Sequence, residues 1–427
     1  MIREILQKLI TQEAGVSIGD IVIARPKPEF GDYAVFIKGN IAKIFDKLKI
    51  QISNIKEIER VEQKGNYINF FLSKEFLHSE LSRIAAGNWK LEIGNYRNRT
   101  LMVEYTDPNP FKLFHIGHLM SNAIGESIAR LYEACGAKVI RVTWQGDVGM
   151  HIAKAIWGDG DYAAGSRAYD ENPEARKEIE EINKKIYNKS DPEIMARYEK
   201  GRKESLEYFE KIYKRLGTKF DRYFFESEEG PKGLKIVKRH PNIFVESDGA
   251  IIFHGSHTRV FVNSQELPTY EAKELGLNQE KFNLYHPDLS LIVTGSEITG
   301  YFKVLMEAMK LVMPDVAAKT RHIPHGMMRL SSGKMSSRTG DIVTADDFID
   351  QVKAKTGSEE VAIGAIKYSI LKQGMGHDIV FDFEKSLAIN GDSGVYLQYT
   401  HARMQSILAK SGISLNATLC HGSMAIS

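Results

Sequence analysis

Apolar residues recur along this chain at two different spacings, and the changes of spacing mark out its elements. From residue 101 a short run, LMVEY, reads as a buried strand. Ile116–Ala134 then carries apolar residues at 116, 119, 120, 123, 124, 128 and 131, the spacing of one helix face. Gly136 follows where a helix C-cap is expected, and KVIRVTWQ is the next strand. Strand, helix and strand in this order predict a βαβ unit. Strand patterns return at AIIFHG, TRVFVN and LSLIVTG, and EITGYFKVLMEAMKLV is an amphipathic helix. Upstream, helix 1–13, the strands IVIARPKP and Tyr67–Leu72, and helix Lys74–Ala86 form a small module. Residues 170–216 are charged and helical. Ser190–Glu193 (SDPE) has the pattern of a capping box with Pro192 in the first turn, and the whole segment reads as a solvated helical hairpin.

These elements predict an α/β fold: a Rossmann-type parallel-sheet catalytic domain, a small α/β N-terminal domain and the start of a helical C-terminal domain. The boundaries fall at 1–95, at 96–390 with a helical insertion, and at 391–427. With 427 residues and 43% hydrophobic content, more than one core is expected. Charge is 26% of residues and nearly balanced at +2, so a nucleic-acid surface has to be local. Cys135 and Cys420 alone exclude a disulfide framework and a Cys-rich zinc site, and they fit a reducing, cytoplasmic setting. No run of 18 apolar residues predicts a membrane span.

Candidate chemistry starts at His115-Ile116-Gly117-His118, where a strand and a Pro-rich loop give way to a helix. His115 and His118 are three residues apart and face one side. A helix N-terminus offers free N–H groups to phosphate, and Gly117 lets a flat base lie against the backbone. Two surface histidines at a helix start give the same string, as does half of a zinc site, although no HExxH pattern accompanies it. About 220 residues later comes HGMMRLSSGKMSSRTGD, a loop in which Lys334 and Arg338 supply charge and Ser336 and Ser337 supply hydroxyls. Taken together, the two clusters point to an enzyme that closes around a nucleotide.

In this order the two clusters resemble the HIGH and KMSKS signatures of the class I aminoacyl-tRNA synthetases, and within that class the chain is similar to arginyl-tRNA synthetases. PEFGDYAVF in the first block, WQGDVGMH (144–151) and HARMQSIL (401–408) extend the resemblance. It implies ATP-dependent activation of L-arginine and transfer to tRNA(Arg), with Mg²⁺ arriving with ATP and no protein ligand for it. The implied catalytic residues are Lys112, His115, His118 and Lys334. ATP would be held by His115, Gly117, His118, Met327, Lys334, Ser336 and Ser337. Arginine would be held by Asn109, His118, Glu226, Tyr270 and Glu274. Ser337 stands where most of the class has a second Lys, and Lys112 would supply that charge instead. Glu274 stands where the family has Asp, one methylene shorter, and a family Gln is replaced around Ser296–Glu297. Residues 391–427 leave little room for an anticodon-binding domain, so a second chain that completes it is a possible partner. Two alternatives stay open: a fragment that binds tRNA or protein without catalysis, and another class I synthetase or HIGH-type nucleotidylyltransferase.

Overall fold

The computed structural model describes residues 2–14, 21–37, 41–85, 96–330, 343–374 and 376–411. They fall into two units, one within Met1–Gly94 and the other within Asn95–Ile413.

The first unit runs α1 (Ile2–Ala14), β1 (Ile23–Ala24), β2 (Tyr33–Phe36), α2 (Ile41–Ile52), β3 (Ile58–Lys64), β4 (Tyr67–Leu72) and α3 (Lys74–Ala85). Its antiparallel sheet has the order β1-β2-β4-β3. Period-2 alternation turns Val35, Ile68 and Phe70 toward Leu6, Ile10 and Leu48 of the helices. Phe36 and Tyr67 lie on the opposite face, exposed and in edge-to-face contact. The expected strand IVIARPKP shrinks to Ile23–Ala24, because Pro26 and Pro28 have no N–H for a ladder.

The second unit opens with β5 (Thr100–Tyr105), α4 (Ile116–Ala134) and β6 (Lys138–Gln145). A helical insertion follows: α5 (Met150–Trp157), α6 (Tyr162–Glu171), α7 (Pro173–Asn188) and α8 (Pro192–Leu216). The chain continues through β7 (Arg222–Phe225), α9 (Glu226–Arg239), β8 (Val245–Ser247), β9 (Ala250–His254), β10 (Thr258–Val262) and α10 (Tyr270–Tyr285). Then come β11 (Leu289–Gly295), α11 (Thr299–Val312), α12 (Pro314–Lys319), β12 (Thr320–His325) and β13 (Met328–Leu330). The last elements are α13 (Ala345–Thr356), α14 (Glu359–Leu371), β14 (Ile379–Phe381), α15 (Phe383–Ser386) and α16 (Gly394–Ser411).

Five strands form one parallel sheet in the order β12-β11-β5-β6-β7. The chain winds outward from β5 in one direction, then returns to wind outward in the other. The expected Rossmann-type sheet is therefore present, and its order reverses beside β5, where such sheets bind ligands at their carboxyl ends. Helix α4 ends as its sequence suggested. Gly136 has φ +92°, and its N–H and that of Ala137 return to the carbonyls of Glu133 and Tyr132. β12 was not legible as a strand because Pro324 and four polar residues interrupt it; as the edge strand it tolerates the proline.

Two expectations about the insertion need correction. The N-cap of α8 is Asp191, not Ser190: Asp191 accepts from the N–H groups of Glu193 and Ile194, while the Ser190 N–H closes α7 on Lys185. The hairpin is also not simply solvated. Ile179, Ile186 and Tyr198 are buried among Val148, Ile152 and Ile156, and Phe209, Ile212 and Tyr213 enter the main core.

One buried charge pair spans sheet and helix. Glu104 on β5 and Lys281 on α10 are 1% and 0% exposed and form an ion pair. Removing one partner leaves the other charge stranded in the core. Lys281→Met is expected to lower unfolding free energy by about 3–5 kcal/mol in urea titrations, and adding Glu104→Gln should restore most of it.

Candidate active site

The loop between β5 and α4 carries the site, and its backbone is unusual. Thr106, Asp107 and Phe111 have φ of +82°, +45° and +64°, a region that residues with a Cβ adopt at a cost. Neighbouring elements hold it there. The Thr106 N–H donates to Ser121 Oγ (3.0 Å), and Asn122 Nδ2 donates to Thr106 Oγ1 (3.0 Å), both from α4. The Phe111 N–H donates to Ser205 Oγ on α8 (2.9 Å). The Phe111 ring lies against Gly201, where an added Cβ would sit 2.2 Å from a ring carbon. The inner face of the charged hairpin thus positions the loop that carries Asn109 and Lys112.

His115 is the N-cap of α4, and His118 is its third helical residue. His115 Nδ1 accepts from the Gly117 N–H and His118 Nδ1 accepts from the His115 N–H, each at 3.1 Å. The two rings stack with centroids 3.7 Å apart. With Nδ1 used as acceptor, each neutral ring carries its proton on Nε2. Burial and the nearby Lys112 ammonium hold His115 down to about 4; burial and His115 hold His118 well below the ordinary imidazole range. Near neutral pH both are uncharged Nε2–H donors at a helix N-terminus, a combination that suits phosphate.

Lys112 sits beside this pair with its Nζ 4.8 Å from the Tyr162 ring centroid, and burial, with Lys154 nearby, lowers its pKa. Sequence reasoning did not single out His151, yet Lys112 acts on it too. Its Nε2 bonds the Gly146 carbonyl at 2.7 Å, and burial pushes it down to about 3. Gly146 itself is obligatory: an added Cβ would lie 2.0 Å from Asn109 Oδ1 and 3.4 Å from Glu226 Oε1. Asn109 and Glu226 therefore converge on the carboxyl end of β6.

Glu226 is buried rather than part of an acidic surface, and it pairs with Lys273 at 2.6 Å. Glu274, 1% exposed, accepts from Asn278 Nδ2 at 3.2 Å. Burial and the Glu104 carboxylate push Glu274 well above the usual carboxylate range. Tyr270 opens α10 one turn before Glu274. The residue as a whole is 39% exposed, but its hydroxyl is buried in the field of Glu274, Glu226, Asp107 and Glu104, and burial followed by Glu274 raises its pKa strongly. Asp147, also missed, is fully buried and takes Arg202 at 2.9 Å, the Tyr198 hydroxyl and Ser227. Single-sequence patterns offer no signal for Lys273, Asp147 or Glu104, because each acts through a partner distant in the chain. Met327 follows β12, 43% exposed, with its N–H on Asp378 Oδ1. Glu297 folds its carboxylate over Gly295 at the end of β11. Lys334, Ser336 and Ser337 lie outside the described residues.

A parallel sheet wound both ways from β5, with paired histidines opening the helix after that strand, is the catalytic core of a class I aminoacyl-tRNA synthetase. Residues 80–383 match the family model described as "tRNA synthetases class I (R), catalytic domain", and residues 1–72 match "Arginyl tRNA synthetase N terminal domain". The chain belongs to the arginyl-tRNA synthetase family. It is 31% identical to the arginine--tRNA ligase of Clostridium perfringens, over 92% of this chain and 78% of that protein. It is 30% identical to that of Treponema pallidum, over 82% and 67%. In fold it is similar to the arginyl-tRNA synthetase of Plasmodium falciparum (TM-score 0.69, 20% identity, 97% of this chain and 81% of that one). The Thermus thermophilus enzyme is likewise similar in fold (TM-score 0.67, 23% identity, 99% and 84%). The alternatives of a nucleotidylyltransferase or a synthetase for another amino acid fall with the family match.

The depressed imidazoles make a pH prediction. Unfolded, His115 takes up a proton near pH 6.5; folded, it resists to about 4. Between those values the unfolded chain binds one more proton at this group, so the stability that His115 contributes falls as pH drops through that window and is constant above it. NMR titration should find the His115 ring neutral from pH 8 to 5; a midpoint near 6.5 would contradict the geometry.

Proposed function

We propose that this chain activates L-arginine with ATP and transfers the arginyl group to tRNA(Arg). The observation that carries this reading is a deficit of cations beside a phosphate-suited helix start. Glu104, Glu226 and Asp147 are matched by Lys281, Lys273 and Arg202, while Glu274 has no ion-pair partner among the described residues. A guanidinium, always charged and with planar donors, is the complement of such a site.

In the proposed reaction the arginine carboxylate attacks the α-phosphate of ATP. Arginyl-adenylate forms and pyrophosphate leaves. A hydroxyl of the terminal tRNA adenosine then takes the arginyl group. His115 and His118 donate Nε2–H to the phosphates, Gly117 leaves room for the His115 ring, which an added Cβ would meet at 2.9 Å, and Met327 borders the base. Lys112 and Lys334 offset the charge that builds on the α-phosphate and the leaving group, with Ser336 and Ser337 as further donors. Asn109 and His118 hold the amino-acid head, and Glu226, Tyr270 and Glu274 line the guanidinium end. Mg²⁺ would arrive with ATP, and no residue is assigned to hold it.

Residues 1–95 are assigned to tRNA contact, 96–390 to catalysis and 391–427 to the start of an anticodon-binding domain. In the first unit, Phe36 and Tyr67 are exposed on the outer sheet face, Arg60 lies 3.6 Å from the Phe71 ring centroid, and Lys64 lies 3.9 Å from that of Phe30. Aromatics interleaved with cations suit stacking on unpaired bases and phosphate contact. On α16, Leu397, Met404 and Ile407 are exposed, an apolar surface on which further anticodon-domain helices would pack, supplied by a second chain or the same one. Among the described residues no helix is long and apolar enough to cross a membrane.

Arginine-dependent ATP–pyrophosphate exchange, run with and without tRNA and with lysine as control, tests the reaction; no exchange with arginine under any condition would overturn it. Lys112→Ala is expected to lower kcat roughly 100- to 1,000-fold. Replacing Arg60 and Lys64 together by Ala should reduce the salt dependence of tRNA binding by a slope of about 1 to 2 in filter-binding assays.

A further inference from the structure

We infer that Asp107 is a specificity-determining carboxylate of the arginine site, binding a cationic nitrogen of the substrate. This inference rests on the pocket reading above and adds to it a residue that neither the sequence reading nor that pocket includes.

Three observations carry it. The first is placement. Asp107 lies two residues past β5, at the carboxyl end of the central strand where the sheet order reverses. Its left-handed backbone is braced through Thr106 by Ser121 and Asn122, and Ser121 Oγ in turn donates to the Val293 carbonyl of β11 (3.0 Å). That turn sends the side chain across to β6, where Oδ1 accepts the Trp144 N–H at 2.7 Å and the Thr143 hydroxyl at 3.4 Å. The second is an unused acceptor. Among the described residues no hydrogen bond or ion pair reaches Asp107 Oδ2, so one oxygen is anchored and the other remains for a ligand. The third is charge. Lys281, whose charge acts on Asp107, is already paired with Glu104, and Glu274, which Asp107 also acts on, lacks a counter-ion among the described residues. Next to Glu274, the buried Asn278 Oδ1 has no hydrogen-bond partner, a further acceptor for N–H groups at the same place.

Leaving two neighbouring carboxylates uncompensated, one of them buried, is costly unless a ligand brings positive charge. Burial and the Glu104 carboxylate accordingly hold Asp107 well above the usual carboxylate range. Arginine carries two cationic groups, the guanidinium and the α-ammonium, and both are met by the same carboxylate chemistry.

The test is ATP–pyrophosphate exchange in the presence of tRNA, comparing the parent chain with Asp107→Asn. Asparagine keeps an oxygen for the Trp144 N–H, so the turn is retained while the charge and the second acceptor are lost. The KM for arginine is expected to rise roughly 10- to 100-fold, with the KM for ATP unchanged. Inhibition by citrulline, whose urea is neutral, and by the 2-hydroxy analogue, which lacks the ammonium, assigns the nitrogen. The preference for arginine over one of these two should fall by the same factor, and either outcome supports the inference. An unchanged KM for arginine, or equal weakening of arginine and both analogues, overturns it. Should the asparagine variant melt far below the parent, Asp107→Ser takes its place in the same comparison. Glu274→Gln separates this inference from the pocket reading. If arginine-over-citrulline preference survives in that variant, the pocket reading fails; if it is lost there while Asp107→Asn behaves as the parent, only the inference about Asp107 fails.

Discussion

The turn that leaves β5 holds residues 106–111 in a conformation their own side chains disfavour. Positive φ at Thr106 is a strained choice for a β-branched residue, and it persists because α4 supplies a hydroxyl and an amide on either side of it. Asn109, Lys112 and the paired histidines all follow from that turn. If the chain left β5 by an ordinary extended path, Lys112 would not come down beside His115, and Asn109 would not reach the end of β6. The insertion contributes as much as the sheet, because Gly201 and Ser205 of α8 fix Phe111 midway along the loop.

Electrostatics organises the floor beneath this loop. Lys281 and Lys273 are buried lysines, each tied to one carboxylate, and Arg202 is committed to Asp147. These pairs stiffen the wall, since none of the partners can leave without stranding a charge. What remains unmatched among the described residues, Glu274 and one oxygen of Asp107, is negative. The histidines are uncharged donors and Lys112 is the local cation. The proposed reaction sets the phosphates at the helix start and the guanidinium against the carboxylates of α10.

The legibility of these features in the sequence follows their range. Strand Tyr67–Leu72 and helix Ile116–Ala134 were readable to the residue, because their periodicity is local and Gly136 marks the helix end with its own backbone preference. The strand expected at 21–28 was not, since two prolines outweigh its apolar content. The SDPE pattern misled by one position: Asp191 competes with Ser190 for the same role, and the closing turn of α7 uses the Ser190 N–H. Residues 170–216 read as solvated because charged residues dominate their composition, yet burial depends on which stripe faces a neighbour, and composition does not report that.

By itself, the sequence determined the alternation of strands and helices, the histidine pair at a helix start, and the family to which these belong. All of these rest on residues within a turn or two of each other, or on a pattern of residue types that survives without coordinates. Only the tertiary structure decided that Glu226 is buried against Lys273, that Glu104 answers Lys281, that Asp147 is held from the insertion, and that Asp107 is left with an unpartnered oxygen. Each of those outcomes depends on which charges meet across the sheet, over separations of 36 to 177 residues. Local physics does not encode pairings of that range; packing alone selects them.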